Sequence, residues 1–358
     1  MAESRSQTPS ELGFRMPAEW HPHQATWLTW PKDPETWPDR VTHVEEIYLE
    51  MIAALTPHEI VNLLVDDEET EQKVRGRCSD ATASRIHFHH IQTVDSWIRD
   101  YGPNFLIGPD GVGAFNDWVF NAWGNKYEVL KKDDTVPQRL EPFLKMKRFS
   151  PGIVMEGGSI EVNGAGCVLT TEQCLLNPNR NPQLSTDEIE QYLKDYLGVR
   201  KVLWLGEGIV GDDTDGHIDD IARFVSTNTI VCAIEEDPDD ANYDILQDNL
   251  ARLRSMTDAS NKPFDIVTLP MPGIVGGNST DTRNLERLPA SYANFYIANS
   301  VVLAPVFGHT NDERAVDTLQ RLFPTRQIVP INCEPLVWGM GTIHCVTQQQ
   351  PQIRVIRG

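Results

Sequence analysis

Four short hairpins, three of them with the same sequel, limit what this chain can fold into more than any other feature of it. Apolar runs at 104–107 and 113–120 flank Gly108-Pro109-Asp110-Gly111, and runs at 159–162 and 167–171 flank Asn163-Gly164-Ala165-Gly166. Further pairs at 221–225 and 230–234, and at 294–297 and 301–306, surround Ser226-Thr227-Asn228-Thr229 and Ala298-Asn299-Ser300. Turn-forming residues between strand-length apolar runs predict β-hairpins. After the second, third and fourth hairpins, helical spacing over 186–197, 243–256 and 312–323 leads into apolar strands at 201–205, 264–269 and 327–331. Ser185 and Glu188 supply a capping box for the first of these helices. Nearer the N-terminus a strand at 25–30, a helix from 40 to 55 stopped by Pro57, a strand at 59–65, a charged helix at 66–79 and a strand at 85–91 add two more helix-then-strand steps. The expected fold is α/β, a ring of about five ββαβ units in one domain over residues 14–358, after a loose tail over 1–13.

Composition narrows the partners. The chain of 358 residues carries 52 Asp and Glu against 31 Lys and Arg, a net charge of −21. Nucleic acids and anionic membranes call for clustered basic surface, so neither is an expected partner; a cationic small molecule suits the charge. No apolar run reaches the roughly 18 residues of a membrane span, and the polar segment 1–12 lacks the apolar core of a secretory leader. The six cysteines have no CxxC spacing, which reads as reduced thiols in a cytoplasmic protein.

Polar motifs recur at one phase of the repeat. Asp95-Ser96-Trp97-Ile98-Arg99-Asp100 stands just before the first hairpin, Glu156-Gly157-Gly158 before the second, and Asp215-Gly216-His217-Ile218-Asp219 before the third. Units arranged around an axis bring equivalent positions to one end of it, so these motifs are expected to share a site. Cys345 is expected to join them from a short strand over 343–347, behind Gly339-Met340-Gly341, whose glycines allow close approach of a ligand. Singly, each residue has a plainer use: Asp95 or Asp219 as a strand-end cap, His217 as a structural hydrogen-bonder, Trp97 as core, Cys345 as a small buried hydrophobe. Jointly they suit a guanidinium, a planar cation whose forked donors match two carboxylates. Its carbon is open to a thiolate once the charge is held, and His217 could protonate the departing nitrogen and then activate water.

The segments 97–103 (WIRDYGP), 156–159 (EGGS), 169–182 (LTTEQCLLNPNRNP), 213–219 (DTDGHID) and 343–349 (IHCVTQQ) resemble the agmatine deiminases of the bacterial-type peptidyl-arginine deiminase family, in the guanidine-modifying superfamily. The resemblance runs from about Met16 to the C-terminus. It implies a five-bladed α/β propeller with pseudo-fivefold symmetry and no metal or organic cofactor. By position it makes Cys345 the nucleophile, His217 the general acid and base, Asp95 and Asp219 the guanidinium clamps, Glu156 a further acid and Trp97 an aromatic wall. The reaction implied is hydrolysis of agmatine to N-carbamoylputrescine and ammonia through a thiouronium on Cys345. Two departures stand out. Met340 adds bulk where the family has bare backbone, and Asp213 stands where agmatine-specific members often carry a Glu for the distal amine. Asp213 with its neighbour Asp212 is expected to repel the carboxylate of arginine.

Free or peptidyl arginine is the alternative substrate, and an amidinotransferase would share the covalent step but pass the amidino group to an amine. A nitrilase-type amidase needs a catalytic Lys, and none stands beside these motifs. A metal- or polyamine-binding protein would have to use His87 and His89, two ligands at best on one strand face. A homodimer is allowed, though nothing in the sequence requires it.

Overall fold

In the computed structural model, which describes residues 7–276 and 287–353, the strands form five separate sheets, none closed on itself. Four are three-stranded and built alike. Asn104–Ile107 pairs antiparallel with Gly113–Asn116, which pairs parallel with Lys147–Phe149. Glu161–Val162, Cys167–Thr171 and Lys201–Leu205 repeat that order, as do Ala222–Phe224, Thr229–Ile234 and Asp265–Pro270, and then Tyr296–Ile297, Val301–Val306 and Gln327–Asn332. A parallel neighbour cannot be reached by a tight turn, and each unit supplies a crossover helix: Val136–Leu144, Thr186–Leu197, Tyr243–Ser255 and Asp312–Leu322. The fifth sheet runs Gln348–Pro351, His23–Thr29, Ile60–Val65, Ile86–His90, so the C-terminal strand completes a sheet begun at the N-terminus.

Local chemistry explains the best-defined elements. The Ser185 hydroxyl accepts from the Glu188 N–H while Glu188 returns a bond to the Ser185 backbone, and Gly198 ends that helix at φ 66°. Asp67 caps Glu68–Arg77 by accepting from the Thr70 N–H. Val41–Leu55 buries Val44, Ile47, Tyr48, Met51, Ile52 and Leu55 along one face, each worth about 1.5–3 kcal/mol of transfer free energy. Truncating one of them, Ile52→Ala, would cost about 2–5 kcal/mol.

Three expectations need correction. The five helix-then-strand steps were divided wrongly, because the two N-terminal steps belong to one sheet. The missing unit follows the first hairpin, where Val136–Leu144 and the three-residue strand Lys147–Phe149 lie; Pro137 and Pro142 inside that helix hide its periodicity. Cys345 is not in a strand: 343–346 is a turn, and the strand begins at Gln348. Of the expected tail, Ser10–Leu12 forms a turn of 3-10 helix, Leu12 packs on the core beside Thr186–Leu197, and Thr8 is buried; residues 1–6 lie outside the described residues.

The repeat matters because of what precedes the first strand of each sheet. Ile98–Tyr101, Gly157–Ser159, Ile218–Asp220, the turn at 291–294 and the turn at 343–346 hold that position in the five sheets; the first three pack consecutively, and Ser291 to Asp220, His344 to Asn294 and Arg99 to Cys345 hydrogen bonds link the remaining pairs.

Candidate active site

The thiol is placed by its turn. Asn294 is the hub: its Oδ1 accepts from the Thr342 hydroxyl at 2.7 Å and the His344 N–H at 2.9 Å, and its Nδ2 donates to Cys345 Sγ at 3.2 Å. Cys345 is 6% exposed and opens on a cavity of about 530 Å³ that is also lined by Asp95, Trp97, Asp100, Trp123 and Asp213. A Cβ on Gly341 would stand 2.7 Å from Trp97 and 3.2 Å from Sγ, so a side chain there would wedge between thiol and indole. Met340, three residues past the helical turn Glu334–Val337, takes φ 73°, a left-handed backbone that costs about 1–2 kcal/mol without a glycine.

Behind the thiol lies a paired chain of charges. Sγ is 3.8 Å from Asp219 Oδ2, which accepts from His344 Nδ1 at 2.7 Å. His344 Nε2 meets Glu19 Oε2 at 2.7 Å, Glu19 pairs with Arg223 at 2.9 Å, and Arg223 reaches Glu161 at 3.0 Å. Arg99 adds a contact to Glu19 at 3.7 Å. Burial alone would raise Asp219 and Glu19, but the His344 bond holds Asp219 below its ordinary value, and Arg223 and His344 hold Glu19 well below. The other oxygen of Asp219, Oδ1, is buried without a hydrogen-bond partner.

Facing the cavity the balance is reversed. Asp95 accepts from the Thr36 hydroxyl at 2.7 Å, Trp97 Nε1 at 3.0 Å and the Ser96 N–H at 2.8 Å, with no cation bonded to it, and burial pushes it up to about 7. Asp100 accepts from Gly158 N–H and Trp123 Nε1; burial and the nearby Asp219 and Glu156 raise it well above the carboxylate range. Burial, then Asp219, Asp220 and Asp100, likewise push the Cys345 thiol far up. His217 is 1% exposed, 3.8 Å from Asp100 and 4.0 Å from Glu156, with neither ring nitrogen hydrogen-bonded, and burial lowers it to about 3. Glu156 gives one oxygen to Arg180 at 2.7 Å and leaves the other unpartnered; burial wins over Arg180 and raises it. A Cβ on Gly158 would sit 2.6 Å from His217, 2.8 Å from Asp100 and 3.1 Å from Asp219. The bare glycine is what lets this cluster close.

At the mouth, Asp213 accepts from the Tyr127 hydroxyl, and Lys126 Nζ lies 3.5 Å from its carboxylate and 2.9 Å from Asp215. Asp212 is turned away: its oxygens accept from Thr214, Gly216 and His217 N–H groups and so shape the turn that carries His217. The expectation that Asp212 joins Asp213 in facing the substrate is therefore corrected. Residues 122–125 all have positive φ, a left-handed turn that aims Trp123 at Asp100.

Of the seven residues singled out in the sequence, Cys345, Asp95, Trp97 and Asp213 line the cavity, whereas Asp219, His217 and Glu156 lie behind that lining, Asp219 against Cys345, His217 against Asp100 and Glu156 against His217. Sequence reasoning placed Asp100 in the first motif without a role and missed Asn294, His344, Glu19, Arg180 and Lys126. Asn294 precedes the fourth hairpin at the phase of the other motifs and was accessible by that rule. The histidines of the strand Ile86–His90 lie apart from the cavity, where His89 bonds Asn62 at 3.0 Å and stacks on Trp27.

Buried carboxylates surround a thiol on ββαβ units, and comparison with known proteins gives both the class, a guanidine-modifying α/β fold, and the family. The sequence profile of the Porphyromonas-type peptidyl-arginine deiminases matches residues 15–351, and the chain belongs to that family. It is similar to the agmatine deiminases of Ectopseudomonas mendocina (36% identical, covering 96% of this chain and 97% of the relative) and Medicago truncatula (37%, covering 97% and 98%). Among solved structures, the agmatine deiminase of Enterococcus faecalis is 36% identical with a TM-score of 0.90, covering 98% of this chain and all of that one. The C. jejuni enzyme, solved as a Cys-to-Ser variant with substrate bound, is 30% identical with a TM-score of 0.85, covering 95% and 97%.

Proposed function

We propose that this chain hydrolyses agmatine to N-carbamoylputrescine and ammonia, using Cys345 as nucleophile and His217 as acid and base. The observation that carries the reading is the cavity itself: a thiol among buried carboxylates with no cation bonded to Asp95 or Asp100 and a free oxygen on Asp219. Uncompensated buried charge is costly, and a guanidinium supplies both the missing charge and the forked donors. Asp95 and Asp219 clamp it, Trp97 lies against it, Glu156 steadies His217, and Asp213 receives the distal ammonium.

Protonation states give the order of events. In the free protein thiol and imidazole are both neutral, one pushed up and the other down. The bound cation offsets the carboxylates and lowers the thiol, whose proton passes into the cluster that holds His217. Sulfur bonds to the guanidine carbon, His217 gives a proton to the departing nitrogen, and ammonia leaves a thiouronium. Water, deprotonated by His217, adds to that carbon, and the thiolate departs from the ureido product.

The five sheets are proposed to stand as blades of a five-bladed propeller, with residues 14–358 one catalytic domain. Support comes from the five like-placed turns, three packed consecutively and the rest joined to them by hydrogen bonds. No helix among the described residues is long and apolar enough to cross a membrane, and all six cysteines are unpaired, which favours a reducing compartment such as the cytoplasm.

Ammonia release from agmatine and from arginine is the test. Agmatine is expected to win by at least about 10²-fold in kcat/KM, because arginine brings a carboxylate up to Asp213. Comparable rates would overturn the substrate assignment, and no release from either would overturn the reaction.

A further inference from the structure

His344 precedes the proposed nucleophile but faces away from the cavity. Both of its ring nitrogens lie 2.7 Å from a carboxylate oxygen, Asp219 Oδ2 on one side and Glu19 Oε2 on the other. A neutral imidazole has one N–H and one lone pair, so it can donate to only one of two ionised carboxylates. The other contact would set lone pair against lone pair at hydrogen-bond distance. Glu19 is kept ionised by Arg223 at 2.9 Å, by Arg99 at 3.7 Å and by the Ile297 N–H at 2.7 Å. The residue is 1% exposed, with no route to water for either nitrogen.

We propose that His344 is a positioning residue, an imidazolium that donates to Asp219 on one side and Glu19 on the other and so fixes both the charge and the aim of Asp219 in the deiminase reaction. The inference rests on the reading of Asp219 as a guanidinium clamp. With Oδ2 taken by His344, the carboxylate can turn only its free Oδ1 toward a ligand. The charges around His344 balance. Asp219, Glu19 and Glu161 are the anions; His344, Arg223 and Arg99 are the cations. Asp219 therefore stays ionised although it is buried beside Asp100 and Asp220, which both rise on burial. Because His344 is adjacent to Cys345 in the chain and its N–H bonds Asn294, the same residue ties the clamp to the thiol-bearing turn.

Removing His344 takes away the cation that lowers Asp219, so the carboxyl must rise and begin to lose its charge at higher pH. In His344→Gln kcat/KM for agmatine at pH 8, where Asp95 is ionised, is expected to fall at least about tenfold, because the uncharged amide leaves Asp219 without its cation. Glu19→Gln, which touches neither substrate nor Asp219, loosens His344 and should lower kcat/KM by a smaller factor. An unchanged kcat/KM in His344→Gln overturns the proposal, and a merely structural role is separated by the state of the ring. Independently of turnover, nitrogen NMR of the full chain labelled at histidine reads the ring directly. Two protonated nitrogens on His344 at pH 7 are expected, identified by loss of the signal in His344→Gln or, if that variant does not fold, by its shift in Asp219→Asn. A neutral tautomer at pH 7 overturns the proposal. If the unmodified chain releases no ammonia from agmatine, the deiminase reading fails, and the NMR result still decides the state of His344.

Discussion

On one side of Cys345, Asp219, Glu19 and Glu161 are matched cation for anion by His344, Arg223 and Arg99; on the other, Asp95 and Asp100 accept only neutral donors and are driven toward their protonated forms. The two groups are equally buried, so depth does not separate them. What separates them is whether the counter-charge belongs to the protein or must arrive with a ligand. The first group is complete as the chain folds. The second becomes complete only when a cation enters, and the thiol at the boundary is held neutral until then.

The largest effect should come at that boundary. Cys345→Ser is expected to remove at least about 10³-fold of activity with the fold intact, because the hydroxyl is far less acidic than the thiol. Near-normal ammonia release from that variant would mean that the two carboxylate groups serve some other chemistry. Changing any of Cys78, Cys167, Cys174, Cys232 or Cys333 should leave activity within about tenfold, barring loss of stability.

A sharper break separates Asp219→Asn from Asp95→Asn. Both remove half of a charge-assisted fork, worth about 1.5–3 kcal/mol, so each should lose roughly 10- to 100-fold or more in kcat/KM. Their thermal behaviour should differ. Asp219→Asn strands His344 and Glu19 in an unbalanced network and should lower Tm by several degrees. Asp95 is only about half ionised in the free protein near neutral pH and has no protein cation to strand, so Asp95→Asn should leave Tm within about 2 °C. Equal shifts in Tm would erase the distinction between balanced and waiting carboxylates.

The same contrast predicts opposite pH dependences. Asp95 is raised to about 7 in the folded protein; it binds more protons folded than unfolded between about pH 4 and 7, so its contribution to stability falls as pH rises through that window. Asp219 is lowered, so its contribution is present above the ordinary carboxylate range and is lost as pH falls through its folded value. A cationic ligand requires Asp95 ionised. Agmatine binding to Cys345→Ser, followed by calorimetry, should weaken by up to about tenfold from pH 7 to pH 6 and should release protons near pH 6.5. Binding that is flat over that range, with no proton release, would place the ligand away from Asp95.

The repeat made much of this visible in the sequence. Polar motifs at one phase identified Asp95, Glu156, His217 and Asp219, since equivalent turns of equivalent units must meet. Followed one unit further, the rule reaches Asn294; that step was obscured because Asn294-Phe295-Tyr296 reads as an ordinary strand entrance without charge. His344 and Glu19 could not be read, because a local pattern cannot pair residues 325 positions apart. The partition of units failed for a different reason. The unit after the first hairpin has a helix with an internal Pro142 and a strand of three residues, too short to show a period. Gly158 and Gly341 carried the close approaches that bare backbone implies.

The smallest effect concerns substrate choice at the mouth. Asp213 was expected to repel arginine together with Asp212, but Asp212 is committed to the turn before His217, and Lys126 stands beside Asp213 instead. A lysine there competes with the distal ammonium of agmatine for Asp213 and partly offsets the repulsion that arginine's carboxylate would meet. Lys126 is partly exposed and shared with Asp215, so its influence is that of a surface pair, about 0.2–1 kcal/mol or roughly 1.4- to 5-fold. Lys126→Met should therefore lower KM for agmatine a few-fold and lower kcat/KM for arginine, widening the gap between them. Asp213→Asn should act in the opposite sense, raising KM for agmatine with less effect on kcat, since the distal amine is bound alike in ground and transition states. An agmatine-to-arginine ratio unchanged in Lys126→Met would mean that this lysine only props Asp215 against Arg180, and that Asp213 sets the selectivity without it.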